Sequence, residues 1–218
     1  AFPFDPKKIS FVLLTHAHID HSGLIPKLVK PGFTGQIFAT RGTADLLTYM
    51  LPDSGRIQEM EVERLNRRNA RRGRPAVTPI YGKEDAQTAL GSFSPVEYET
   101  WREVGDGVRA RYWNAGHILG SASIEVEVTS GDRDARLSRL LFSGDIGPDH
   151  KLLHPDPEAP GNWDWVCCEA TYGGRQRIDV TPEHRRTVLA EEVNTALARG
   201  GNLLIPAFAV ERTQELLL

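Results

Sequence analysis

Between positions 15 and 23 the chain reads Thr15-His16-Ala17-His18-Ile19-Asp20-His21-Ser22-Gly23, directly after the apolar run Phe11-Val12-Leu13-Leu14. Three imidazoles and a carboxylate fall within six positions. Imidazole nitrogen and carboxylate oxygen hold divalent metals such as Zn²⁺, and they suit a catalytic centre better than a thiolate cage does. His16 and His18 stand two apart, so at the end of an extended strand they point the same way. Asp20 and His21 follow as the chain turns toward a helix, placed to face a second metal. Two metals about 3.5–4 Å apart activate a water and stabilise the leaving oxygen of a phosphodiester. A merely polar turn after a strand leaves the clustering unexplained.

Two later segments repeat the pattern of an apolar strand ending in a glycine-containing turn: Asn114-Ala115-Gly116-His117-Ile118-Leu119-Gly120-Ser121-Ala122 and Leu141-Phe142-Ser143-Gly144-Asp145-Ile146-Gly147. Such turns let the backbone approach a ligand and hold a side chain at a strand's exit. With His16-Ala17-His18-Ile19-Asp20-His21 they resemble the metal-binding motifs of the metallo-β-lactamase superfamily. The resemblance implies that His16, His18 and His117 hold one metal, that Asp20 and His21 hold a second, and that Asp145 bridges both. It also implies an αββα sandwich with the metals at one edge between two sheets.

The superfamily motif alone does not choose a substrate, because lactamases, thioester hydrolases, phosphodiesterases and nucleases share it. Cys168-Glu169-Ala170-Thr171-Tyr172-Gly173 resembles the acidic motif of the β-CASP branch, which processes nucleic acids. Ile205-Pro206-Ala207-Phe208-Ala209-Val210-Glu211-Arg212-Thr213-Gln214-Glu215 resembles the first strand and helix of that branch's cap domain. The branch implies a ribonuclease with two Zn²⁺ ions that cleaves single-stranded RNA by a hydroxide activated between the metals, with Asp20, Asp145 and Glu169 as catalytic carboxylates. Glu169 would orient a ligand or hold a proton for the leaving group. The rival readings are a thioester or lactam hydrolase of the same superfamily and a non-catalytic β-CASP scaffold subunit. A homo-oligomer is left open.

Hydrophobic periodicity and turn residues outline an α/β chain. Strands are predicted at 9–14, 36–40, 96–101, 108–113, 123–128, 137–142, 163–169 and 201–206. Helices are predicted at 24–30, 43–51, 57–72, 84–90 and 182–198, the last capped by Thr181, with another from residue 210. A boundary near Gly173-Gly174 divides a metallo-β-lactamase domain, residues 1–174, from the beginning of a cap domain, residues 175–218. The chain begins without methionine and stops inside an amphipathic pattern. A fragment lacking the superfamily's first strands and the cap's later histidine motifs is expected, and with that a second metal site short of its full ligand set, incomplete metal binding and poor cleavage.

Composition excludes several classes. With 26 Lys and Arg against 29 Asp and Glu, the net charge is −3, so nothing global advertises nucleic-acid binding. No apolar run is long enough to span a bilayer, and no secretory signal precedes the first motif. The two cysteines, Cys167 and Cys168, are adjacent in an apolar run; neighbours in a strand face opposite ways, so they read as buried, unpaired residues. A reducing, cytoplasmic compartment fits. His150 and His154 read as loop histidines and His184 as a solvated helix residue. Arg64, Arg67, Arg68, Arg71, Arg72 and Arg74 form a basic stretch after Glu59, Glu61 and Glu63. It is either a salt-bridged solvent face or a phosphate-binding surface.

Overall fold

The computed structural model describes residues 2–129, 137–158, 161–176 and 181–218. A three-residue 3-10 helix, Pro6–Lys8, leads into strand β1, Phe11–Leu13. Helices α1, Ile19–Ser22, and α2, Ile25–Val29, follow, then β2, Gln36–Thr40, and the long helix α3, Arg41–Arg71. After α4, Lys83–Leu90, come β3, Phe93–Val96, β4, Arg102–Gly105, β5, Val108–Asn114, β6, Ala122–Thr129, β7, Leu137–Phe142, and β8, Trp165–Cys167. Helices α5, Pro182–Ala198, and α6, Arg212–Leu217, complete the described elements.

The strands form two sheets. One is parallel, in the order β1-β2-β3; the other runs β4-β5-β6-β7-β8, antiparallel except for the β7–β8 pair. Strand β2 explains the layering. Its Ile37 and Ala39 point into a core shared with Leu47 and Leu51 of α3 and Ala86 and Ala89 of α4. Phe38, between them, points into a second core with Ala110 and Tyr112 of β5 and Ile124 and Val126 of β6. A strand covered on both faces reads as one apolar run because alternate residues fill different cores. Tyr112 is fully buried between the sheets and donates its hydroxyl to the Phe38 carbonyl at 2.9 Å. A helical layer and two β layers are thus in place. The described residues supply no helix packed on the outer face of the second sheet, since α5 has no buried residue.

That outer face carries charge. Glu125, fully buried, takes Arg111 at 2.8 Å, Arg139 at 2.5 Å and the Trp113 indole N–H at 2.9 Å. Burial opposes ionisation of Glu125, but the hydrogen bonds from Arg139, Trp113 and Arg111 outweigh it and hold the carboxyl below its usual range. Arg109 and Arg111 both stack on Trp101.

Several predicted elements shift. The helices expected at 43–51 and 57–72 are one helix: Pro52 lies within α3, its missing N–H and ring tolerated in a segment anchored by buried Leu47, Leu51 and Gly55. The strand expected at 96–101 is not formed: β3 ends at Val96, β4 starts at Arg102, and the chain between them turns at Glu99, whose φ is 58°. Residues 201–208 form no strand and are exposed, Leu204 at 90%, because no neighbouring strand among the described residues pairs with them. Cys167 and Cys168 are exposed rather than buried: β8 is an edge strand with every side chain open. They are unpaired, as expected. The remaining strands, α2, α4 and α5 fall within a few residues of expectation, and Thr181 caps α5 by accepting from the His184 N–H at 3.2 Å.

Candidate metal centre

His16 and His18 leave the end of β1 where that strand is held between both sheets. The Leu14 N–H donates to Phe38 of β2 at 2.9 Å, and the Thr15 carbonyl accepts from Ala122 of β6 at 2.8 Å. His16 is fully buried, with the Thr15 hydroxyl 3.1 Å from its Nδ1. His117 sits on the loop between β5 and β6. The Ser121 hydroxyl oxygen accepts from the His117 N–H at 2.9 Å and the Ile118 N–H at 3.1 Å, closing the loop on itself. Gly120 has a φ of +77°, and a Cβ there would stand 2.2 Å from the Thr43 nitrogen, so only glycine lets this loop lie on the start of α3.

Asp145 follows β7. Gly144, at a φ of +57°, turns the chain, and a Cβ on it would meet the Thr15 Cβ at 2.8 Å. This brings the Asp145 loop directly against the His16 segment. Glu169, beyond β8, accepts from the Ile146 N–H at 2.9 Å and, with its other oxygen, from the Thr171 N–H at 3.3 Å. These bonds, the Thr171 contacts first, hold its carboxyl below the usual range, and they brace the Asp145 loop from behind.

Four ligand atoms converge. His16 Nε2 lies 3.2 Å and His117 Nε2 3.1 Å from His18 Nδ1. Asp145 Oδ2 lies 3.7 Å from His16 Nε2 and 3.6 Å from His117 Nε2. One ligand atom from each residue fits in a set spanning no more than 4.8 Å. Tetrahedral ligands at zinc–nitrogen bond length stand about 3.3 Å apart, close to these separations. A neutral imidazole carries one N–H, so this crowd of ring nitrogens cannot all be joined by hydrogen bonds. His18 Nε2 is also buried without a partner. The donor set fits a divalent cation.

The protonation pattern agrees. Burial, then the charges of His21, His117 and His18, lower the His16 pKa to about 3. Burial, then His18, lowers His117 to about 4, and burial lowers His18. All three rings are therefore neutral near pH 7, the state a metal requires.

The second group is looser. His21 Nε2 lies 3.3 Å from Asp145 Oδ1, the oxygen turned away from the first set, and 3.7 Å from Asp20 Oδ2. Asp20 and His21 stand outside the compact four-residue group, and Asp20 is 79% exposed. The structure therefore gathers all the sequence-predicted ligands at one place and separates them into a tight set and an open one.

Behind the centre lies an ion cluster that no motif signalled. The Lys151 ammonium contacts both the His117 carbonyl and Glu211 Oε1, and His154 Nε2 is 2.8 Å from Glu211 Oε2. Glu211 is buried and has a φ of +70°. The Phe208 ring centre stands 6.0 Å from that of His18. His154 thus contacts Glu211 and lies outside the group of converging ligand atoms, His150 lies 3.7 Å from Asp156, and His184 is exposed.

Comparison with known proteins agrees with this geometry. The chain is 38% identical over 218 residues to ribonuclease TTHA0252 of Thermus thermophilus, covering 99% of this chain and 44% of that protein. It is 34% identical over 221 residues to the RNase J-like protein of Methanocaldococcus jannaschii, covering 98% and 44%. It is 30% identical over 219 residues to transcription termination factor FttA of Thermococcus kodakarensis, covering 100% and 31%. The chain thus spans less than half the length of these relatives, whose names are consistent with a β-CASP RNA-processing branch. Residues 2–168, which take in both sheets, match the family model described as metallo-beta-lactamase superfamily, and the chain belongs to that superfamily.

Proposed function

We propose that this chain carries the metal centre of a zinc-dependent ribonuclease that hydrolyses RNA phosphodiester bonds. The convergence of His16 Nε2, His18 Nδ1, His117 Nε2 and Asp145 Oδ2 carries the reading, and relatives named as ribonucleases supply the substrate class. In this reading His16, His18, His117 and Asp145 would hold one Zn²⁺, and Asp20 and His21, with Asp145, would hold another. Bound metal supplies Lewis acidity to the phosphodiester and lowers the pKa of a water toward neutrality.

The chain's own groups do the rest. The buried His16 and the partly buried His18 and His117 stay neutral and hold fixed positions. Asp145 presents one oxygen to each set of ligands. Glu169, ionised at neutral pH, keeps the Asp145 loop in register; its depressed pKa makes it a poor proton store, so positioning is its main task. Phe208 stands beside His18 at the edge of the cleft. Residues 1–174 form the metal-bearing domain and 175–218 begin the cap, which closes over a single RNA strand. No helix among the described residues is long and apolar enough to cross a membrane, and the unpaired, exposed cysteines suit a reducing compartment such as the cytoplasm.

The test is the full-length protein with zinc and an RNA labelled at its 5′ end, with Asp145→Ala alongside. Cleavage by the wild type and not by the variant is expected. Two bound metals without RNA cleavage would point to a thioester or lactam substrate. Neither metal nor cleavage would leave a scaffold subunit.

A further inference from the structure

Helix α3 runs from the metal centre out into solvent. At its start, the Thr40 and Thr43 hydroxyls both donate to the Gly120 carbonyl, at 2.5 and 2.8 Å, which fixes the helix against the His117 loop. At 1.5 Å of rise per residue, Arg68 lies about 40 Å along the axis from Arg41. The far end is ordered. Asn66 exchanges two 2.8 Å hydrogen bonds with the backbone of Val77, and Asn69 donates to Pro75 at 3.2 Å, so the returning chain is clamped along one face.

The opposite face is basic. Arg64, Arg67, Arg68 and Arg71 recur at i, i+3, i+4 and i+7 and form one stripe, with Arg72 and Arg74 beside it; all six are exposed. Residues 64–74 contain no acid, on a chain whose net charge is −3. Among the described residues, a single ion pair touches the stripe, Arg67 to Glu63 at 3.4 Å, and both side chains are about two-thirds exposed. Glu59 is spent elsewhere, accepting from the Lys83 N–H at 3.1 Å. A salt-bridged solvent face would place acids three or four residues from each arginine; Glu61 and Glu63 stand so for Arg64 and Arg67, but Arg68, Arg71 and Arg72 have none. Here Arg64 faces Arg68, Arg67 faces Arg71 and Arg68 faces Arg72, pairings that oppose the helix. The helix dipole favours cations in the last turn only, which leaves Arg64 and Arg67 without that support.

We propose that this stripe is a sequence-independent binding site for the phosphate backbone of an RNA strand, about 40 Å along α3 from its start beside the His117 loop. The inference rests on the ribonuclease reading and adds a contact outside the cleft. Guanidinium forks at helical spacing match successive phosphate oxygens, and a polyanion relieves the repulsion between the arginines. RNA long enough to reach both the stripe and the metals binds tightly; short RNA uses the cleft alone. Ile57 and Met60, exposed nearer the body of the protein, are what a protein partner would use instead.

The experiment compares the full-length protein with a variant carrying Arg64→Gln, Arg67→Gln, Arg68→Gln and Arg71→Gln, residues remote from the centre whose replacement keeps helix propensity. Circular dichroism confirms that α3 is retained. Binding of labelled single-stranded RNA is measured by anisotropy across salt concentrations, with Asp145→Ala added to prevent cleavage. Losing four phosphate contacts is expected to flatten the slope of log K against log salt by about 3 and to weaken low-salt binding by at least about tenfold. With Asp145 intact, KM for long RNA rises while kcat, and cleavage of an oligonucleotide too short to reach the stripe, stay unchanged. An unaltered slope and affinity for long RNA overturns the proposal, even if wild type cleaves RNA normally. Loss of an acidic protein partner with RNA binding intact also overturns it. If wild type neither binds nor cleaves any RNA, the ribonuclease reading fails first and the proposal with it.

Discussion

His117 Nε2 lies 3.1 Å from His18 Nδ1, although 99 positions separate the two residues. No hydrogen-bond scheme satisfies His18 with both His16 and His117 around one ring nitrogen. A bound cation would. Replacing His117 by alanine is expected to weaken metal binding by more than about 100-fold, since even residues that merely orient a ligand typically cost 10–100-fold. Competition against a chelating dye, with metal content measured directly, checks it. Unchanged metal content would remove His117 from the site.

The neutral histidines make the metal-free protein sensitive to acid. The unfolded chain takes up protons near the ordinary histidine pKa of 6.5, whereas folded His16 and His117 resist to about 3 and about 4. The unfolded state therefore binds more protons between these limits, and stability falls as pH drops from about 6.5 toward 4. Urea unfolding of chelator-treated protein should show this decline, and His16→Asn should flatten part of it. A stability curve that does not change over this window would contradict the burial of His16.

Gly144 is required twice over, for its positive φ and for the closeness of Thr15. Gly144→Ala is expected to cost about 1–2 kcal/mol for the left-handed backbone alone, and more for the contact. It should also displace Asp145. Denaturant unfolding reads the first effect and metal affinity the second.

Glu169 separates bracing from proton transfer. Glu169→Gln keeps an acceptor for the Ile146 N–H, so it should retain most activity, whereas Glu169→Ala should lose roughly 10–100-fold. Equal, severe losses in both, seen as kcat on an RNA substrate, would show that the charge itself is needed.

On the outer face of the second sheet, Glu125→Ala would strand Arg111, Arg139 and the Trp113 N–H around an empty position. A loss of about 3 kcal/mol is expected, at the lower end for a broken buried pair because both arginines keep some solvent contact. The midpoint of urea unfolding measures it, with metal content unchanged.

The candidate ligand types and the strand exits that carry them were legible in the residues alone. His16, His18, Asp20 and His21 are neighbours in the chain, and a glycine-flanked His117 or Asp145 at the end of an apolar run marks a strand that delivers a side chain to a cleft. These are local signals, set by strand periodicity and by glycine's backbone freedom. Helix α5 and its Thr181 cap were legible for the same reason. The continuity of α3 through Pro52 was not, because buried Leu47, Leu51 and Gly55 on the far side of a core outweigh a local helix breaker. The exposure of Cys167, Cys168 and residues 201–208 was not, because an apolar run carries no record of whether a layer covers it. Which candidate ligands form the tight set and which the open one, and the Lys151–Glu211–His154 cluster behind them, follow from the packing of two sheets. Chain segments as far apart as residues 18, 117, 145 and 211 meet only there, and no spacing along the chain encodes a distance between them.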